Sequence, residues 1–210
     1  MSMSPQLRQF ALTAHAATSL GWTGAVTCFL ALAVSGFTSR DSQTVQAAYL
    51  AMNLLCWAVI LPLSLASPAT GILQSLGTTW GLFRHYWVLV KFLVTIPCTL
   101  ILLVHMVPTS KLAAAAAQGT LDSPAMGGLK MQMIGDSAAA VFVLLVLTAL
   151  SMYKPRGLTA FGKARANTNT ARSVPKPVWI SVLSWIVVVL GVAFVVAHLT
   201  GNGMGGHAQH

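Results

Sequence analysis

Charge is what this sequence has least of. Only 7% of its 210 residues are charged, and three acids, Asp41, Asp122 and Asp136, stand against 12 lysines and arginines. A soluble domain carries about 25% charged residues, so the composition excludes a sizeable water-exposed domain. Cysteine is sparse as well. Cys28, Cys56 and Cys98 all fall inside apolar runs and share no CxxC spacing. An odd, scattered set of this kind gives no disulfide framework and reads as small buried hydrophobes. Nor does the chain contain a P-loop, a glycine-rich dinucleotide fingerprint, a GxSxG elbow or an HExxH helix. The soluble-type chemistries those motifs carry have no support here.

Apolar residues are plentiful: 56% of the chain, with a mean hydropathy of +0.75. They gather into five uncharged stretches, between Arg8 and Arg40, Asp41 and Arg84, Lys91 and Lys111, Asp136 and Lys154, and from Lys176 onward. About 20 apolar residues cross a bilayer as a helix, and only helices or closed barrels satisfy their backbone polar groups there. The runs are too continuous for the alternating pattern of a barrel strand. The expected fold is therefore all-α, an integral membrane bundle of five transmembrane helices near residues 10–35, 45–66, 86–107, 131–153 and 178–199. The first run is too long for a signal peptide and no A-x-A-like site follows it, so it is read as a retained helix.

Basic residues set the orientation. Arg8, Arg84, Lys154, Arg156, Lys163, Arg165, Arg172 and Lys176 fall on one side, and Arg40, Lys111 and Lys130 on the other. The positive-inside rule then predicts N-in, C-out. The net charge of +9 is read as a belt attracted to an anionic inner leaflet, not as a nucleic-acid surface. The organisation that follows is a membrane core over residues 1–162, a basic cytoplasmic linker at 163–177, the fifth span, and a Gly/His tail at 200–210. Residues 67–84 are expected to hug the inner surface as a half-helix. Residues 108–130 are expected to form an outer loop, helix-prone at 113–117 and flexible up to Gly127 and Gly128.

Ionisable groups inside spans are costly and mark candidate sites. In the third run Arg84, Lys91, Cys98 and His105 recur every seven residues, nearly two helical turns, so they share one slowly drifting stripe. His85 opens that run and Pro97 is expected to kink it. His15 lies early in the first run. Sorted by depth, His15, Arg84, His85 and Lys91 form an inner polar layer. His105, Asp136 and His198 form an outer one.

The inner layer suits an anionic cofactor such as haem b, with His15 as an axial ligand, His85 or Lys91 opposite, and Arg84 on a propionate. The plainer reading is a hydrogen-bonded His15, interfacial Arg84 and His85, and a snorkelling Lys91. The expectation favoured for Lys91 is that it points into the bundle. The outer layer has the donor types of a divalent metal site or a proton relay, against the plainer reading of three groups meeting headgroups and water. The tail residues Met204, His207 and His210 offer copper-type donors, though a short disordered tail explains them as well.

Three strings carry a resemblance: Leu12-x2-His15-x6-Trp22-x-Gly24-Ala25, the run from Leu73 to Lys91 with Leu82-Phe83-Arg84-His85-Tyr86-Trp87 at its centre, and Tyr153-Lys154-Pro155-Arg156-Gly157-Leu158-Thr159. Over residues 7–162 the chain resembles a bacterial multi-pass membrane family of unknown function, which implies the bacterial cytoplasmic membrane but no activity. Members of that family often have a histidine where this chain reads Ile134-Gly135-Asp136. More distantly, His15-x6-Trp22-x-Gly24 and Trp87-x3-Lys91-x13-His105 resemble haem-associated small membrane proteins, the membrane protoporphyrinogen oxidases and the copper-resistance membrane proteins. That resemblance implies haem b and electron transfer or haem-linked redox chemistry. The alternatives are a transporter or metal-handling protein, and a non-catalytic subunit that docks a membrane partner or a second copy through the basic loop.

Overall fold

The computed structural model describes residues 3–76, 85–153 and Val178. Arg84, the linker, the tail and, apart from Val178, the expected fifth span with His198 lie outside the described residues. Those described form α1 (Pro5–Thr38), α2 (Ser42–Leu55), a π-helical turn (Cys56–Ile60), α3 (Leu61–Leu76), α4 (Tyr86–Ala117) and α5 (Pro124–Tyr153). Among them there is no strand. Among the described residues four helices are long and apolar enough to cross a membrane, Pro5–Thr38, Ser42–Leu76, Tyr86–Ala117 and Pro124–Tyr153.

Each is longer than the apolar run that announces it, because backbone hydrogen bonding does not stop where hydrophobicity does. The inner segment expected at 67–84 is helical up to Leu76. The outer loop expected at 108–130 shrinks to a short turn, for α4 runs to Ala117 and α5 already holds Gly127 and Gly128. The chemistry of that turn is local. Gly119 takes φ +69, and its N–H and that of Thr120 bond to the carbonyls of Ala116 and Ala115 at 3.3 and 2.9 Å. This is a Schellman ending, for which glycine has no Cβ penalty. At the other helix junction Asp41 caps α2, accepting from the Thr44 N–H at 2.9 Å and the Thr44 hydroxyl at 2.6 Å.

The second span explains its own irregularity. Pro62 lacks an N–H and its ring would strike the carbonyl of Ala58 in a regular α-helix. Just before it the chain widens to a π turn, in which the Leu61 N–H bonds to the Cys56 carbonyl. Six residues on, Pro68 takes away the N–H that would reach the Ser64 carbonyl. The Thr99 hydroxyl of α4 stands 3.3 Å from that oxygen and 3.0 Å from the Thr95 carbonyl of its own helix, so its one hydrogen is shared between the interface and α4.

Helix α1 packs against α2, α3 and α5, and α4 against α2 and α5. The core runs through Trp22, Phe29, Tyr49, Met52, Ile60, Met106, Met133 and Leu144. Small residues allow close approach. A Cβ on Gly36 would lie 3.0 Å from the Tyr49 ring, and one on Gly71 would lie 3.1 Å from the His15 ring. Leu20, Leu54, Leu100 and Phe142 are each more than half exposed. Apolar exposure on this scale is out of place in water and expected against lipid.

Candidate functional site

The seven-residue stripe of α4 faces α5. Lys91, its first described member, donates to the Ser151 hydroxyl of α5. Cys98 packs against the cluster of Val94, Leu147 and Leu150. His105 pairs with Asp136 of α5 through Nε2 and Oδ2. Register explains the match: α4 and α5 run antiparallel, so the later residue of one helix meets the earlier residue of the other. The separation of a Lys91 end from a His105 end, expected from sequence depth, is present in these contacts.

His105 and Asp136 are the most informative pair. The His105 Nδ1 lies 3.1 Å from the Ile101 carbonyl. A carbonyl only accepts, so Nδ1 carries a hydrogen. Nε2 then faces a carboxylate oxygen, and one proton lies between the two groups. Proton on nitrogen gives imidazolium and carboxylate; proton on oxygen gives neutral imidazole and carboxylic acid. The pair is neutral overall in both forms, which suits an apolar setting. Its side chains are 11% and 21% exposed respectively, so Asp136 is the more accessible partner.

Both residues line a cavity of about 420 Å³, within the size range of small-molecule sites. Trp22, Val26 and Phe29 of α1 form one wall, the π-turn residues Cys56 and Ile60 another, and α4 and α5 the rest. Cys56 is turned toward Met106, with its Sγ 3.2 Å from the Met106 Sδ. The lining is apolar except for His105, Asp136, Thr109 and Ser137. Thr109 and Ser137 donate back to the carbonyls of His105 and Met133, at 2.8 and 2.6 Å. Leu93 and Phe142 also belong to the lining and are 59% and 56% exposed, so the cavity opens sideways, toward the bilayer.

The inner layer is arranged differently. His15 does not line this cavity; its Nδ1 sits 3.1 Å from the Ser67 carbonyl and 3.2 Å from the Thr70 hydroxyl. Thr18 meets Thr70 at 3.2 Å and Ser19 meets Ser67 at 2.8 Å. The result is a polar seam between α1 and α3, with the His15 ring pressed on Gly71. His85 stands at the N-cap of α4 in extended backbone. Of the residues expected to hold haem b, His15, His85 and Lys91 do not line this cavity, and Arg84 lies outside the described residues. Among the described residues no three His, Cys, Asp or Glu side chains converge as a metal set. Of the outer set, His105 and Asp136 come together, and His198 is outside the described residues.

Sequence reading missed Cys56 as a wall residue and Ser67, Thr70 and Ser151 as partners. Pro62 was the available signal for the first, since it forces a rearrangement one turn earlier. Ser and Thr recurring at helical spacing in apolar runs, as in Ser64, Ser67, Thr95 and Thr99, was the signal for the rest.

Comparison with family models, with curated proteins and with solved structures found no match. The described residues thus define the class: an all-helical bundle with four helices of membrane-spanning type.

Proposed function

We propose that the protein binds a lipid-soluble molecule in the cavity between α1, α4 and α5, with the His105–Asp136 pair meeting the polar group of that molecule. It would serve as a carrier or transporter, the first of the alternatives to haem chemistry. One observation carries the reading: the only acid within a described span pairs with a histidine on the wall of an otherwise apolar cavity. Asp136 keeps a second carboxylate oxygen beyond the one bonded to His105. The ligand class is therefore an apolar body with one hydrogen-bond donor, a hydroxyl or a protonated amine. A proton exchanged with the pair would couple binding to protonation. The setting we infer is a bacterial cytoplasmic membrane, with five spans and N-in, C-out orientation, supported by the distribution of basic residues.

Trp22 in the cavity wall makes the reading testable by fluorescence. A brominated lipophilic amine should quench Trp22 in the purified chain, with the Trp22→Phe variant identifying its share of the signal. In Asp136→Asn, affinity should drop about tenfold, the scale of a charge-assisted hydrogen bond. Equal quenching in the wild type and in Asp136→Asn sinks the proposal. Haem keeps a separate test: a Soret band in the purified or haem-reconstituted protein, lost in His15→Ala, would support that reading.

A further inference from the structure

Lys91 is a cation whose counter-charge this chain does not supply. It is half-buried, on a helix of membrane-spanning length, and the helices that carry it and its partner Ser151 also carry the apolar cluster of Trp87, Val90, Val94, Leu147 and Leu150. Its partner, the Ser151 hydroxyl, gives its own hydrogen to the Leu147 carbonyl at 2.8 Å. Ser151 can therefore accept from the ammonium but brings no net charge. An ammonium has three donors, and among the described residues this is the one hydrogen bond Lys91 makes.

The acids of the whole sequence are three, and each is placed elsewhere. Asp136 pairs with His105, which lies about 21 Å farther along α4 at 1.5 Å per residue. Asp41 caps α2 and Asp122 sits in the turn between α4 and α5, so both belong to the His105 end of the bundle. No side-chain carboxylate of this chain reaches Lys91. A buried cation of this kind needs an anion or water, and the surroundings are apolar.

We propose that Lys91 and Ser151 form a binding site for a single phosphate group, carried by an anionic phospholipid of the leaflet that holds the first turns of α4 or present as free phosphate. The ammonium supplies the charge. The Ser151 dipole fixes the direction of the ammonium, and the Trp87–Leu150 cluster gives a phospholipid's acyl chain an apolar surface. This site lies about 21 Å along α4 from the His105–Asp136 pair, near the end of the cavity that Leu93 and Val94 line, and it does not depend on the function proposed for that pair.

The test uses the purified full chain in detergent, titrated separately with phosphatidylglycerol, phosphatidylcholine and inorganic phosphate. Native mass spectrometry counts retained lipid, and thermal unfolding reports protection. One phosphatidylglycerol should remain bound per chain, with phosphatidylcholine much weaker. Lys91→Met should weaken retention about fivefold, the scale of one lysine near an anionic surface, and Lys91→Arg should largely keep it. Should Lys91→Met not purify, Lys91→Gln and Ser151→Ala take its place. Competition by inorganic phosphate assigns the site to a free anion; protection by the lipid alone assigns it to the headgroup. Equal retention in wild type and the neutral Lys91 variants overturns the proposal, as does equal binding of phosphatidylcholine and phosphatidylglycerol. Asp136→Asn should leave the result unchanged.

Discussion

At the scale of single residues, the His105–Asp136 pair combines low exposure with mutual dependence. Removing one partner leaves the other as an unsatisfied polar group, a loss of about 1–3 kcal/mol. Replacing both with leucine removes the problem together with the interaction. Thermal unfolding in detergent should therefore show His105→Leu and Asp136→Leu each destabilised, and the double variant no worse than either. Additive losses would show that the two act independently. Asp41 gives a pH-dependent counterpart outside the spans. Hydrogen bonds from the Thr44 hydroxyl and N–H hold its carboxyl below the usual carboxylate range. A depressed folded-state value means stability that is present above the unfolded carboxylate range, near pH 4, and is lost as the pH falls through the folded-state value. Asp41→Ala should thus unfold at a lower temperature than wild type at neutral pH, and the two melting curves should converge under acid conditions.

At the scale of elements, prolines shape the second span and neighbours repair what they break. The Ser64 carbonyl, left without its i+4 donor by Pro68, is met by Thr99 across the interface with α3. Hydrogen bonds between helices in membranes are worth about 0.6 kcal/mol on average. Thr99→Val should cost about that much in the wild type and markedly less beside Pro68→Ala, where the new N–H takes the same oxygen. An equal cost in both backgrounds, measured by unfolding in detergent, would remove Thr99 from this role. The π turn belongs to the same scale. It brings Cys56 and Ile60 to the cavity wall, which no count of apolar residues would have anticipated.

At the scale of the whole molecule, the proposed orientation makes a prediction about sidedness. With Cys28, Cys56 and Cys98 replaced by alanine, single cysteines introduced at positions 154–176 should react with membrane-impermeant maleimide only after the cells are opened. One near Asp122 should react in intact cells. The reverse pattern would invert the orientation while leaving the bundle intact.

Composition and hydropathy alone determined that the chain is all-helical and built of membrane-length spans. The cost of leaving backbone groups unbonded in hydrocarbon permits little else. Spacing along α4 likewise determined that Lys91, Cys98 and His105 share a face, because a helix fixes the angle between its own residues. Tertiary structure alone decided which helix that face meets. A sequence gives rotation within a helix but not the register between two. The pairing of His105 with Asp136, the reach of Lys91 to Ser151 and the turning of His15 toward Ser67 and Thr70 all depend on that register. So does the cavity, which exists only where faces of α1, α4 and α5 and the π turn fail to close on one another.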